Sequence, residues 1–322
     1  MNVKESVKAL PIGLFGSVMG LVGLSISWRL ASVRFGLPIV VAEAIAVVAV
    51  VVFVMLALAF FLKAITSWAL VRNEWQHPIS GNLFGTVWIS LLLLPIELVR
   101  VAPDIARGFW LMGAVGMMVF AWMTLNRWLS ERQQWVHATP PWIIPVVGLL
   151  DLPLALPSLG MSVPDELPWL ALSVGLFFMV PLFTVIFTRL VFDEAFPDGL
   201  RPSLMILLAP FVVGASAVMA VMGQVNVLAQ GLYLAAVFLF VVLLGQMRHL
   251  ISCCPFRVSW WAVSFPLAAL SIAAHRYAMA MPSVLAQGLA IGFWMLTTAV
   301  IGWLFVRTLW GLVRGELRTL SS

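Results

Sequence analysis

Long apolar blocks alternate with short polar loops along nearly the whole chain. Ten blocks can be marked, at roughly 9–31, 38–62, 80–100, 105–126, 141–160, 168–191, 202–222, 226–248, 257–281 and 284–309. Most reach the ~20 residues that a helix needs to cross a bilayer, so the pattern predicts ten transmembrane helices. The fifth block, WIIPVVGLLDLPLALPSLG, is the weakest. Its prolines would break a helix in water, but irregular backbone is tolerated at membrane depth where protein or a water-lined cavity surrounds it.

The blocks are of two kinds. The odd ones carry the helix breakers Pro95, Pro145, Pro153, Pro157, Pro210 and Pro266, together with small polar residues. The second, VVAEAIAVVAVVVFVMLALAFF, has no Gly or Pro and is apolar almost all round, as lipid contact requires. The sixth departs from this division with Pro181. The loops ahead of blocks three, five, seven and nine each place polar residues before proline: Gln76-His77-Pro78, His137 to Pro141, Asp198 to Pro202, and His249 to Pro255. Lys8-Ala9-Leu10-Pro11 begins the chain in the same way, and the spacing is roughly 60 residues. A loose repeat of this kind is a transporter signature. The expected fold is an all-α integral membrane protein, a single domain over residues 1–322. Its ten helices form five hairpins, with the odd helices as an inner ring around a central pore and the even helices as an outer ring.

Composition agrees with the pattern. The chain is 63% hydrophobic and 10% charged, against about 25% charged in soluble domains, and its mean hydropathy is +1.08. Thirteen of the 18 Lys and Arg residues fall on the side of the N-terminus, against Arg29, Arg34, Arg100, Arg107 and Arg276 on the other. The positive-inside rule then puts both termini in the cytoplasm of a cell inner (plasma) membrane protein. The net charge of +5 is spread singly through short loops with no basic run, so nucleic acid is not a partner. The first block runs on to Trp28 without a small-residue cleavage site and is expected to be retained as a span. Cys253 and Cys254 are adjacent in a loop, poorly placed for a structural disulfide.

Enzyme motifs are missing: H-E-x-x-H, G-x-S-x-G, the Walker loop and G-x-G-x-x-G are all absent, and no metal or cofactor is expected. His77, His137 and His249 precede odd blocks. They could ring the pore mouth as a cationic vestibule, or simply be solvated loop residues. Gly13, Gly16, Gly20 and Gly23 share one helix face, which suits either close helix packing or a wide pore wall. Glu97 lies one turn before Arg100, so a local ion pair is expected there; Glu43 lies near the start of the second helix, where a helix N-terminus favours an anion. Asp151 falls in mid-span. A carboxylate at that depth costs roughly 2.5–3.5 kcal/mol on insertion scales, and such residues face a cavity and serve function. That makes Asp151 a proton-coupling candidate, unless it caps backbone freed by the neighbouring prolines. In the ninth block, Pro266 is expected to bend the helix at Phe265, amid Ser259, Ser264 and Ser271. A passage lined by Gly, Ser, Pro and Phe, without basic residues at mid-depth, suits weak selection by size and an apolar gate.

Four stretches carry a family resemblance: Pro11-Ile-Gly-Leu-Phe-Gly-Ser-Val-Met-Gly20, Thr139-Pro140 through Pro145 and Gly148, Leu208-Ala-Pro210, and Trp260-Trp-Ala-Val-Ser-Phe-Pro266. Spread over nearly the whole chain, they resemble the family of the tellurite-resistance protein TehA, the plant slow-type anion channels and the four-carbon dicarboxylate transporters. The last is the most specific, matching a W-x-x-x-F-[PG] pattern. The resemblance implies a homotrimer in which each subunit passes small anions through its own pore: chloride or nitrate, tellurite, or small organic acids. It also implies that Phe265 occludes that pore. Phe15, Gly16, Gly20, Pro95, Gly148, Pro210, Ser264 and Pro266 are then the pore-lining candidates. Asp151 departs from the neutral residues of the family's fifth helix and would repel anions. A proton-coupled carrier of dicarboxylates, sulfite or related oxyanions is therefore the alternative. A non-transporting membrane partner or sensor would instead have a bundle filled by side chains, with no continuous path.

Overall fold

The computed structural model describes residues 8–194, 196–247 and 256–315, so His249, Cys253 and Cys254 lie outside the described residues. Ten spans are long and apolar enough to cross a membrane. They are α1 Ile12–Phe35, α2 Val40–Thr66, α3 Ser80–Leu98, α4 Pro103–Ser130, α5 Pro140–Leu159, α6 Glu166–Phe192, α7 Asp198–Met222, α8 Val227–Met247, α9 Val258–Ala280 and α10 Val284–Val313. All regular structure among the described residues is helical. One helix was not legible in the pattern: Trp68–Gln76 follows α2 as a short amphipathic turn of the chain. α1 also outruns its expected end, carrying Arg29 and Arg34 within the helix until Gly36, at φ 67°, turns the chain toward α2.

Odd and even spans differ sharply in burial. In the odd spans 67% to 83% of the apolar stretch is buried, against 17% to 39% in the even ones. Val47, Val54, Leu58 and Phe61 of α2 stand exposed, as an apolar surface meant for lipid would. Each odd span packs on the even span that follows it. Among themselves the odd spans contact in a closed circuit, α1 on α3, α3 on α5, α5 on α7, α7 on α9, and α9 back on α1.

Every odd span begins as a 3₁₀ helix: Ile12–Leu14, Ser80–Phe84, Pro140–Ile143, Asp198–Leu208 and Val258–Val263. Runs this long are unusual, because 3₁₀ bonding geometry is poorer than α. Proline supplies the reason in α5, α7 and α9. Pro145, Pro210 and Pro266 sit in the first turn of the α-helical stretch that follows. A proline there has no N–H to bond four residues back, so the preceding turns close i to i+3 instead. The bend expected at Pro266 is therefore a change of winding: 3₁₀ up to Val263, α from Ser264. The carbonyls set free in this way need donors, since the bilayer core has no water to supply them. Trp110 of α4, wholly buried, donates its indole N–H to Leu152 O in the 3₁₀ stretch of α5 at 3.0 Å.

The seam between α1 and α9 is made of small residues in parallel register. Ser264 Oγ donates to Gly16 O at 3.3 Å and to Trp261 O at 2.7 Å. A Cβ at Gly20 would lie 2.5 Å from the Cβ of Ser264, and one at Gly23 would lie 2.7 Å from the Cβ of Ala268. Ser27 and Ser271 share a hydrogen bond of 2.6 Å one turn further on. Close backbone approach of this kind is how membrane helices associate without a hydrophobic driving force. Gly20→Ala should therefore cost about 1–3 kcal/mol through overpacking, read as a lowered Tm in detergent. Gly16→Ala, whose Cβ would meet only Trp261 O at 3.9 Å, should stay within about 0.5 kcal/mol of the wild type.

Candidate functional site

A cavity of about 530 Å³ lies among the leading ends of the odd spans. All five contribute, as do the residues that lead into them, and Glu74 of the short helix joins them; no even span reaches it. The wall is mainly aliphatic: Met19, Leu83, Ile89, Ile144, Val147, Ile206 and Val213 face it. The residue types expected from sequence share the wall with them, among them Gly13, Gly16, Gly148, Ser203, Pro266 and Phe265.

The polar wall groups are few and mostly committed. Thr86 donates to Leu83 O, Ser203 to Leu200 O, and Ser259 to Gly199 O. A hydroxyl that has given its hydrogen to the backbone offers the cavity lone pairs rather than a donor. Glu74 is neutralised: Lys63 Nζ lies 2.8 Å from Oε2, and Oε1 accepts the Ile12 N–H at 2.7 Å. Lys63 also donates to Leu10 O at 2.6 Å, which fastens the start of α1 to α2 and the short helix. Arg257 is the basic residue of the wall and lies just ahead of α9.

Two of the wall residues were singled out by the chemistry of the sequence. Asp151 is only 2% exposed yet lines the cavity, from the 3₁₀ stretch Gly148–Leu154, and its Oδ1 has no hydrogen-bond partner. Phe265, half-buried at the change of winding in α9, also lines it. Beyond Phe265 lies a second, smaller cavity of about 30 Å³, again bounded by all five odd spans. Phe265 and Val213 belong to the walls of both, so they separate the two spaces.

The other expected site residues divide. Gly16, Gly148 and Pro266 join Asp151 and Phe265 on the larger cavity, as does Gly13. Phe15 turns away to pack edge-on against Phe53 and Phe60 of α2, with ring centroids 5.9 and 6.4 Å apart. Gly20 and Ser264 are spent on the α1–α9 seam, and Pro95 and Pro210 are buried in helix packing; none of the four lines either cavity. His77 is exposed, its Nδ1 accepting the backbone N–H groups of Ile79 and Ser80, and neither it nor the half-buried His137 lines the cavity. The third histidine, His249, lies outside the described residues. The expected Glu97–Arg100 pair is replaced by another. Glu97, buried and facing α1, is bound by Arg29 Nη2 and accepts Ser25 Oγ at 3.0 Å, while Arg100 lies exposed in the turn after α3. Helix α3 ends at Leu98, so the one-turn spacing that would pair Glu97 with Arg100 never forms.

Sequence reasoning missed Arg276, which it assigned to the outer polar side. The arginine lines the smaller cavity. Its spacing from Phe265, through Ala269 and Ile272, is one helical face, and that was the available signal.

Residues 9–309 match the SLAC1 family, described as voltage-dependent anion channels. The S-type anion channel SLAH3 of Arabidopsis thaliana is 27% identical over 307 residues, covering 93% of this chain and 48% of that protein. The guard cell S-type anion channel SLAC1 of the same plant is 25% identical, covering 93% and 55%. The chain thus spans about half the length of these plant relatives. The tellurite resistance protein TehA homolog of Haemophilus influenzae is 25% identical, covering 98% of this chain and 94% of its own.

The division at Phe265 can be probed by thiol labelling after Cys253 and Cys254 are replaced by Ser. A charged thiol reagent added on the side of the larger cavity should modify Ser80→Cys at once. It should reach Ser216→Cys, on the smaller cavity, only when Phe265→Ala is also present.

Proposed function

The chain belongs to the SLAC1 family of anion channels, and from that premise we propose that it passes small anions through its own helical bundle, along the axis enclosed by the odd spans, with Phe265 as the occluding gate. One observation carries this reading: Phe265 stands between two cavities, each bounded by all five odd spans. In it the ten helices act as one transport unit, an inner ring of odd helices within an outer ring of even ones, repeated in a homotrimer. The protein is a multi-pass membrane protein, and we place it in the inner (plasma) membrane with both termini cytoplasmic. Chloride, nitrate, tellurite and small organic acids are the candidate cargoes, the tellurite suggested by the name of the Haemophilus relative.

Such a pore would select weakly. The wall between Arg257 and Phe265 carries no Lys or Arg, so an anion meets no bidentate partner that would hold it. Diameter and long-range charge remain as filters. The gate is apolar and one side chain thick, and its aromatic ring closes a path already desolvated by Ile, Leu and Val.

A second reading has its own support. A buried carboxyl with an unpartnered oxygen on the wall of a membrane cavity is a place to carry a proton, and Asp151 is such a group. If it is charged, it repels the cargo. If it is protonated, it offers a donor. On this reading the protein moves dicarboxylates, sulfite or related oxyanions together with protons.

Purified protein in planar bilayers under asymmetric chloride separates the two. With a closed pore, wild type should be nearly silent, and Phe265→Ala should raise the current at least about tenfold, the effect of removing a barrier of ~1.4 kcal/mol or more. Equal currents in both would refute the gate. In proteoliposomes, carrier behaviour should appear as uptake driven by a pH gradient and lost in Asp151→Asn. Coupling that survives the substitution would refute the carrier.

A further inference from the structure

We infer that Arg276 and Ser216 form a binding site for a small monovalent anion on the far side of Phe265. Three observations converge on it. Arg276 lies in the last turns of α9, lines the smaller cavity, and makes no hydrogen bond or ion pair among the described residues. An arginine inside a spanning helix normally carries a counter-charge, because leaving it unpaired in a low-dielectric setting is costly. The acid nearest in kind, Glu97, is already taken by Arg29. Ser216 of α7 lines the same cavity with a hydroxyl that has no hydrogen bond among the described residues. It is therefore free to donate. The remaining wall is apolar, from Ile26, Ile96, Leu154 and Ile272.

The geometry sets the ligand class. Phe265, Ala269, Ile272 and Arg276 follow one another at spacings of four, three and four, so a single face of α9 runs from gate to guanidinium. At 1.5 Å per residue the two ends are about 16 Å apart along the axis. A space of about 30 Å³ has room for a particle about the size of a water molecule. A halide is of that size. With one cation and one hydroxyl as donors the site balances a single negative charge. Its use in permeation rests on the pore reading above, but its occupancy does not.

Bromide, which stands in for chloride and is visible by anomalous scattering, is diffused into crystals of the whole protein. It should be found against the Arg276 guanidinium and Ser216, be lost in Arg276→Gln, and be retained in Arg276→Lys. Bromide found only elsewhere, or bound equally well in Arg276→Gln, overturns the site. Currents are then measured in the Phe265→Ala background. There Arg276→Gln should lower the ratio of chloride to potassium permeability about tenfold, the scale of one lost charged hydrogen bond, and Arg276→Lys should restore most of it. An unchanged ratio overturns its part in selection. Bromide at Arg276 in a protein whose Phe265→Ala form is silent supports the site and refutes the pore.

Discussion

The close approach of α1 to α9 is the contact on which the rest of the bundle depends. These are the first and ninth spans, and their seam closes the circuit of odd helices. Nothing larger than glycine fits at positions 20 and 23 against Ser264 and Ala268. The hydroxyl pair Ser27–Ser271 continues the seam toward the outer end. Lipid tails are as apolar as leucine, so only this fit and its hydrogen bonds favour association over separation. The same clamp positions the change of winding in α9: Ser264 is held between Gly16 O and Gly20, and its neighbour Phe265 lines both cavities.

A second constraint follows from the prolines. In α5, α7 and α9 they favour 3₁₀ winding at the leading end, which rises faster than an α helix. The cost is a set of carbonyls without helical partners. Even spans meet part of it: besides Trp110 at Leu152 O, Thr297 of α10 donates to Leu267 O, next to Pro266. Outer helices thus present lipid-tolerant residues on one face and specific donors on the other. The division into buried odd and exposed even spans is therefore more than a matter of hydropathy.

Charge is placed sparingly along the axis. Lys63 and Glu74 cancel near the larger cavity and fasten the start of α1. Arg29 and Glu97 cancel at the other end of the odd spans. Arg257 and Asp151 line the larger cavity, and Arg276 lines the smaller one beyond Phe265.

Much of this was legible in the residues themselves. Ten spans, their approximate limits, the contrast between odd and even blocks, the mid-span depth of Asp151 and the position of Phe265 at a proline-marked break all follow from hydropathy and from where proline falls. Those signals are local, and the bilayer makes them strong, because every backbone group must be satisfied within the protein, mostly along its own helix. What only the tertiary structure decided depends on the rotation of each helix. The glycines of α1 share a face by spacing, yet Gly16 meets the cavity while Gly20 meets α9. Glu97 pairs across to Arg29 and not along its own chain to Arg100. Arg276, counted from sequence among the charges on the side away from the termini, lines the smaller cavity. A side chain's direction around a helix is set by which neighbours leave room for it, and α1 and α9, more than 200 residues apart in the chain, settle that only when they meet.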